Sequence, residues 1–401
     1  MITRRTFLQS SAAAALAASA SSARADNAPG ITDTEIKIGQ TMPYSGPASA
    51  YGVIGRTEGA YFKMINDQGG ISGRKINLIS LDDGYSPPKT VEQVRRLVED
   101  EKVAFLFQTL GTPPNLAIRK YLNDNKVPQL FVSTGASTFA DPEHFPWTIG
   151  FNPNYQTEAR IYGKHILATK PDGKIGVLYQ NDGFGKDYLI GLKDELGADH
   201  AGMVVKEVSY ETSEPTVDSQ IVTLQGSGAD VLLIAATPKF AAQAIRKSFD
   251  LGWNGVRYVS NVSVSVTTIL KPAGLDKSKG LITAYYGKDP TDPRWKDDAG
   301  MKEWAVFVAK YMSPTELNDA NATYAFGAAA TMVQVLKQCG NDLSRENVMK
   351  QAANLKDLEL PLLLPGMEIN TSPTNFSPIR QMQLASFDGA SWQLFGELIV
   401  G

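Results

Sequence analysis

Short apolar strands alternate with amphipathic helices along this chain, and that rhythm constrains its fold more than any other feature. Ile36-Lys37-Ile38-Gly39 reads as a strand. The next segment carries Ile54, Tyr61, Phe62 and Ile65 on one helix face and stops at Gly69-Gly70. Residues 75–81 form a second strand, and Val91, Val94 and Val98 mark a helix behind Pro87-Pro88. Strands follow at 103–107 and 129–132, separated by a helix opened by Pro113-Pro114. Such alternation builds a parallel sheet with helices on both faces.

The pattern restarts after Phe151-Asn152-Pro153-Asn154, with strands at 174–179, 204–210, 230–235 and 257–259 and a helix at 185–196. The tail differs: helices at 296–312, 319–339 and 344–354 precede alternating segments 380–387 and 392–400 around the turn Asp388-Gly389. The expected fold is α/β, two doubly wound parallel-sheet lobes joined by a multi-strand hinge. Lobe 1 takes residues 26–152 plus 284–360, and lobe 2 takes 153–283 plus 361–401. A length of 401 residues suits two domains.

Residues 1–25 stand apart. Arg4 and Arg5 precede a small-residue apolar run, and Ala23-Arg24-Ala25 has the form of a cleavage site. Thr3-Arg4-Arg5-Thr6-Phe7-Leu8-Gln9 resembles a twin-arginine export signal. Cleavage near Ala25 would leave 376 residues and a net charge near −6 in place of −3. No polybasic run is present, which argues against a nucleic-acid partner. One cysteine, Cys339, and three scattered histidines argue against a disulfide framework, a redox pair and a metal site.

Catalytic and cofactor signatures are missing as well. There is no GxSxG elbow, phosphate-binding loop or HExxH, and Gly183-Phe184-Gly185 lacks the third glycine of a dinucleotide fingerprint. The expectation is a non-enzyme without cofactor or catalytic residues. Two strand ends instead carry small hydroxyl and glycine residues, Gln108-Thr109-Leu110-Gly111-Thr112 and Ser133-Thr134-Gly135-Ala136-Ser137. Ligands of doubly wound sheets sit at such ends, where backbone N–H groups suit an anionic oxygen. From the residues alone, helix capping and turns account for the same positions more simply.

The order of several motifs resembles the leucine/isoleucine/valine-binding protein family, periplasmic solute-binding proteins of ABC importers. They include Ser45-Gly46-Pro47, Tyr51-Gly52, residues 65–76, Asp82-Asp83, residues 132–137, Asn181-Asp182-Gly183-Phe184-Gly185 and residues 288–293. The resemblance implies a ligand held between closing lobes. It implies that Thr109, Leu110, Gly111 and Thr112 face the ligand carboxylate, and that Gly135, Ala136 and Ser137 hold it. It also implies Tyr51 at the cleft mouth, with Phe184 and Thr237 in second-lobe loops. Family members that bind amino acids place an acid after the strand equivalent to 257–259, to pair the ligand ammonium. Here that stretch, Val259-Ser260-Asn261-Val262-Ser263-Val264-Ser265, has none. A buried ammonium without its partner costs about 1–3 kcal/mol. The expected ligand is therefore a carboxylic acid without an α-amine, with Tyr51, Phe184, Tyr285 and Tyr286 suiting an aromatic body. The alternatives are an amino-acid binder using Asn261 or Ser260, a sensory subunit, and an exported cofactor enzyme. The expected partners are the small carboxylate and the membrane subunits of an ABC permease, with the chain acting as a monomer in the periplasm.

Overall fold

The computed structural model describes residues 28–400, so the export segment 1–25 lies outside the described residues. Two sheets organise the molecule. The first contains β1 (Glu35–Met42), β2 (Lys75–Asp82), β3 (Leu106–Phe107), β4 (Gln129–Val132) and β5 (Thr148–Gly150), all parallel in the order β2-β1-β3-β4-β5. The second contains β6 (Ile175–Gln180), β7 (Val204–Tyr210), β8 (Val231–Ala235), β9 (Val256–Val259) and β10 (Leu281–Tyr285), parallel in the order β10-β9-β8-β6-β7. Hydrophobic strands buried on both faces are what a helix-covered parallel sheet requires, and β8, with all five residues buried, shows it most fully.

The tail completes both lobes. Helices Ala299–Tyr311, Ala320–Cys339 and Arg345–Ala352 pack into the first core, where Trp304, Phe307 and Phe326 meet Tyr61 and Phe62 of helix Gly52–Asp67. The chain then returns to the second sheet as β11 (Gln381–Phe387), antiparallel to β10, followed by β12 (Trp392–Leu394) and β13 (Ile399–Val400). The Asp388-Gly389 turn is present, with the Asp388 carboxylate accepting the N–H groups of Ala390 and Ser391.

Several elements differ from expectation. The strand expected over 392–400 breaks into β12 and β13 because Gly396 takes a left-handed φ of 68°. Strands β5 and β10 are additional to those expected from the sequence. Leu362, Leu363, Leu364, Met367, Ile369, Phe376 and Ile379, expected in lobe 2, join the core of lobe 1. The return crossing thus falls next to β11, beyond Ile379. The lobes are linked near residues 151–154, 286–288 and 379–381.

Candidate functional site

A cavity lies where the two lobes meet, lined by residues of both. From lobe 1 come Tyr51, Ile54, Tyr85, Leu110, Gly111, Thr112, Ser133, Phe151 and Asn152. From the hinge and lobe 2 come Tyr155, Phe184, Thr237, Asn261, Val262, Val264, Tyr285 and Tyr286. The tail adds Asn321, Thr323, Tyr324, Leu360, Leu362 and Leu363, among others. Eight of these residues are Tyr or Phe, and none carries a charged side chain. Burial pushes the hydroxyls of Tyr51, Tyr85, Tyr155, Tyr285, Tyr286 and Tyr324 up from their ordinary value, so all six face the cavity neutral.

The β3 loop reaches this cavity through its glycine. Gly111 has φ 100°, and a Cβ there would lie 2.5 Å from the Tyr85 ring, so only glycine admits that ring. Thr112 then starts helix Thr112–Asp124, with no side chain capping it. Pro113 and Pro114 have no N–H, and the Asn115 N–H goes to the Gly111 carbonyl. Anion-holding capacity at this helix end therefore rests on the Thr112 N–H and hydroxyl. The hydroxyl shares a 2.7 Å hydrogen bond with Thr134.

Of the residues singled out in the sequence, Tyr51, Leu110, Gly111, Thr112, Phe184, Thr237 and Asn261 line the cavity together. Thr109, Gly135, Ala136 and Ser137 do not. Thr109 is buried and its hydroxyl accepts from Gln129. Gly135 is pressed against the hinge, where an added Cβ would sit 2.0 Å from the Pro153 carbonyl. The Ala136 N–H turns back to the Thr134 hydroxyl. Ser137 has an internal carboxylate as partner: its N–H and hydroxyl donate to Asp187 at 2.7 and 3.0 Å, and Gln156 donates to the same group at 2.8 Å.

The structure also reveals a group that the 259–265 stretch concealed. Glu158, on helix Tyr155–Thr169, is fully buried and accepts the Asn261 backbone N–H at 2.8 Å, the Asn261 side-chain amide, and the Tyr162 and Tyr188 hydroxyls. Burial raises its carboxyl to about 7 against the pull of these donors. Asn152 and Tyr324 were not singled out either, and Ser133 was noted only as part of its loop. The Tyr324 hydroxyl lies 2.8 Å from Asn152 and 3.0 Å from Ser133 and Gln108. For the tail's share, the sequence marks the helix that carries Asn321, Thr323 and Tyr324 and the apolar run Leu362-Leu363-Leu364, but neither pattern points to a cavity.

Hydrogen bonds close the lobes around the cavity. Tyr51 donates to the Val262 carbonyl at 3.0 Å, Gln180 donates to the Tyr85 hydroxyl at 3.4 Å, and Ser265 donates to Asp319 at 2.9 Å. Among the described residues no group of three His, Cys, Asp or Glu could hold a metal, and no helix is long and apolar enough to cross a membrane.

A two-lobed α/β molecule with a cavity between its sheets that no charged side chain lines has the form of a small-molecule binder. Residues 35–391 match the periplasmic binding protein family, and the chain belongs to it. That family is a solute-binding one and carries out no reaction. The chain is similar to Leu/Ile/Val-binding protein homolog 1 of Brucella abortus, 26% identical over 360 residues, covering 88% of this chain and 90% of the relative. Its fold is similar to a branched chain amino acid ABC transporter protein from Thermus thermophilus with bound valine, with a TM-score of 0.82, 15% identity and coverage of 92% and 98%. It is also similar to a fatty acid ABC transporter substrate-binding protein from Thermomonospora curvata, with a TM-score of 0.76, 20% identity and coverage of 94% and 95%.

Proposed function

We propose that the chain is an exported, periplasmic solute-binding protein that delivers a small carboxylate, with an aromatic or other apolar body and no α-amine, to the membrane subunits of an ABC permease. It acts as a monomer, and ligand shifts an equilibrium between open and closed lobes. The observation that carries this reading is the cavity lining, which has eight aromatic rings and no charged side chain. An ammonium there would touch no carboxylate, whereas a carboxylate can take neutral donors, Thr112 first among them. The transporter proteins named above support the transport role.

A second reading, an amino-acid binder, is favoured by Glu158, which puts a carboxyl directly behind Asn261. Calorimetric titration with benzoate, cinnamate, leucine and valine separates the two. Binding of leucine or valine with no binding of the plain acids overturns the first reading. Under that reading Thr112→Val weakens binding of the acid by about 2 kcal/mol, the loss of a hydrogen bond to a charged group. Unchanged affinity removes Thr112 from the site.

A further inference from the structure

Glu158 touches no part of the cavity surface, yet it dictates how one cavity residue behaves. Its Oε1 accepts the Asn261 backbone N–H and the Tyr162 hydroxyl, and its Oε2 accepts the Tyr188 hydroxyl and the Asn261 side-chain amide. An ionised carboxylate only accepts, so the NH2 half of the Asn261 carboxamide must turn toward it. The other half, Oδ1, is then left over. Asn261 lines the cavity at 6% exposure, and its Oδ1 is buried with no hydrogen-bond partner among the described residues. A buried acceptor without a donor is costly, which leaves this atom open to a donor brought by a molecule in the cavity that Asn261 lines.

We infer that Glu158 is a positioning residue that fixes Asn261 as a hydrogen-bond acceptor, and that the ligand is a hydroxylated carboxylate whose hydroxyl donates to Asn261 Oδ1. The inference rests on the reading that this cavity takes a carboxylate solute. A neutral donor fits better than an ammonium, because Asn261 offers one acceptor and no charge, and no acidic side chain lines the cavity. Four donors converge on Glu158 and favour its ionised form, which is the form that orients the amide.

The test is calorimetric titration of the mature chain, at about pH 8, with two matched series. One is isocaproate, α-hydroxyisocaproate and α-ketoisocaproate, with leucine alongside. The other is benzoate, para-hydroxybenzoate and para-methoxybenzoate. In at least one series the hydroxy member binds about tenfold or more tightly than both companions. In Glu158→Gln the new amide donates toward Asn261, whose carboxamide turns over and presents NH2 to the cavity, so the keto or methoxy member overtakes the hydroxy member. Asn261→Leu abolishes the hydroxyl preference and serves if Glu158→Gln folds poorly. The inference is overturned if the hydroxy member lies within about twofold of its companions in the unaltered protein, if both variants keep its preference, or if leucine binds more tightly than every acid. Failure of all seven compounds to bind overturns the underlying reading, and this inference with it.

Discussion

Each lobe buries one glutamate completely, Glu58 in the first and Glu158 in the second, and their surroundings differ. Glu58 has a single donor, the Gln40 side chain, and its Oε1 has no hydrogen-bond partner. Burial holds its carboxyl well above the usual range with little to oppose it. Glu158 is as deeply buried but gathers four donors, which hold its rise to about 7. Equal burial thus pushes the carboxyl of Glu58 well up with little opposition, while that of Glu158 is held to about 7. The number of converging donors makes the difference.

Glu158→Ala should produce the largest effect on this contrast. It leaves the Asn261 backbone N–H and side-chain amide without an acceptor, and leaves the Tyr162 and Tyr188 hydroxyls to the Val259 carbonyl and Ser260, so urea unfolding should show a loss of roughly 3–5 kcal/mol. A loss below about 1 kcal/mol would mean that the donors find other partners.

Second is pH. The folded Glu158 keeps its proton up to about 7, while the unfolded value is 4.5, so between these the native state binds more protons than the unfolded chain. Its contribution is complete below 4.5 and lost as pH rises through about 7, a difference of ~3 kcal/mol. Asp319, raised to about 6 by burial, acts with the same sign. Stability at about pH 8 should fall below that at about pH 5, and Glu158→Gln should flatten the slope. An equal slope in both proteins would assign the effect to other groups.

Asp187, at the meeting of the lobes, has three donors, more than Glu58 and fewer than Glu158. Ser137→Ala removes one donor and should cost about 1 kcal/mol of stability. A large loss of ligand affinity with no change in stability would return Ser137 to the ligand. The smallest effect is expected of Glu58→Gln, within about 0.5 kcal/mol, because a neutral carboxyl and a carboxamide are near isosteres. A loss above about 2 kcal/mol would show that Glu58 is ionised.

Much of the architecture was legible because the alternation of buried strands and one-faced helices is local. Strand β4, for example, begins and ends where its four apolar-flanked residues do. The second leg of the tail was less so: a run such as Leu362-Leu363-Leu364 says that it is buried but not beneath which sheet. Within the site, the β3 loop was readable because its glycine and threonine act through their own backbone. The β4 loop has the same composition, but Asp187, fifty residues further on, captures Ser137. Glu158 was hidden for a related reason. The acid sought after β9 was absent there, while the acid behind Asn261 comes from a helix 103 residues earlier. Composition marks a candidate donor, and only tertiary structure names its acceptor.

The cross-lobe bonds of Tyr51, Gln180 and Ser265 bear on kinetics. They lie at separated points around one cavity and, with the Ser137–Asp187 and Thr267–Asn318 bonds that also cross between the lobes, must break before the lobes can part. Under the proposed reading, in which the lobes close on a captured solute, removing any one of the three should shorten residence time more than it slows capture. On that reading, the bonds between the lobes govern how long a loaded molecule stays loaded, alongside the cavity lining that governs which solute it takes.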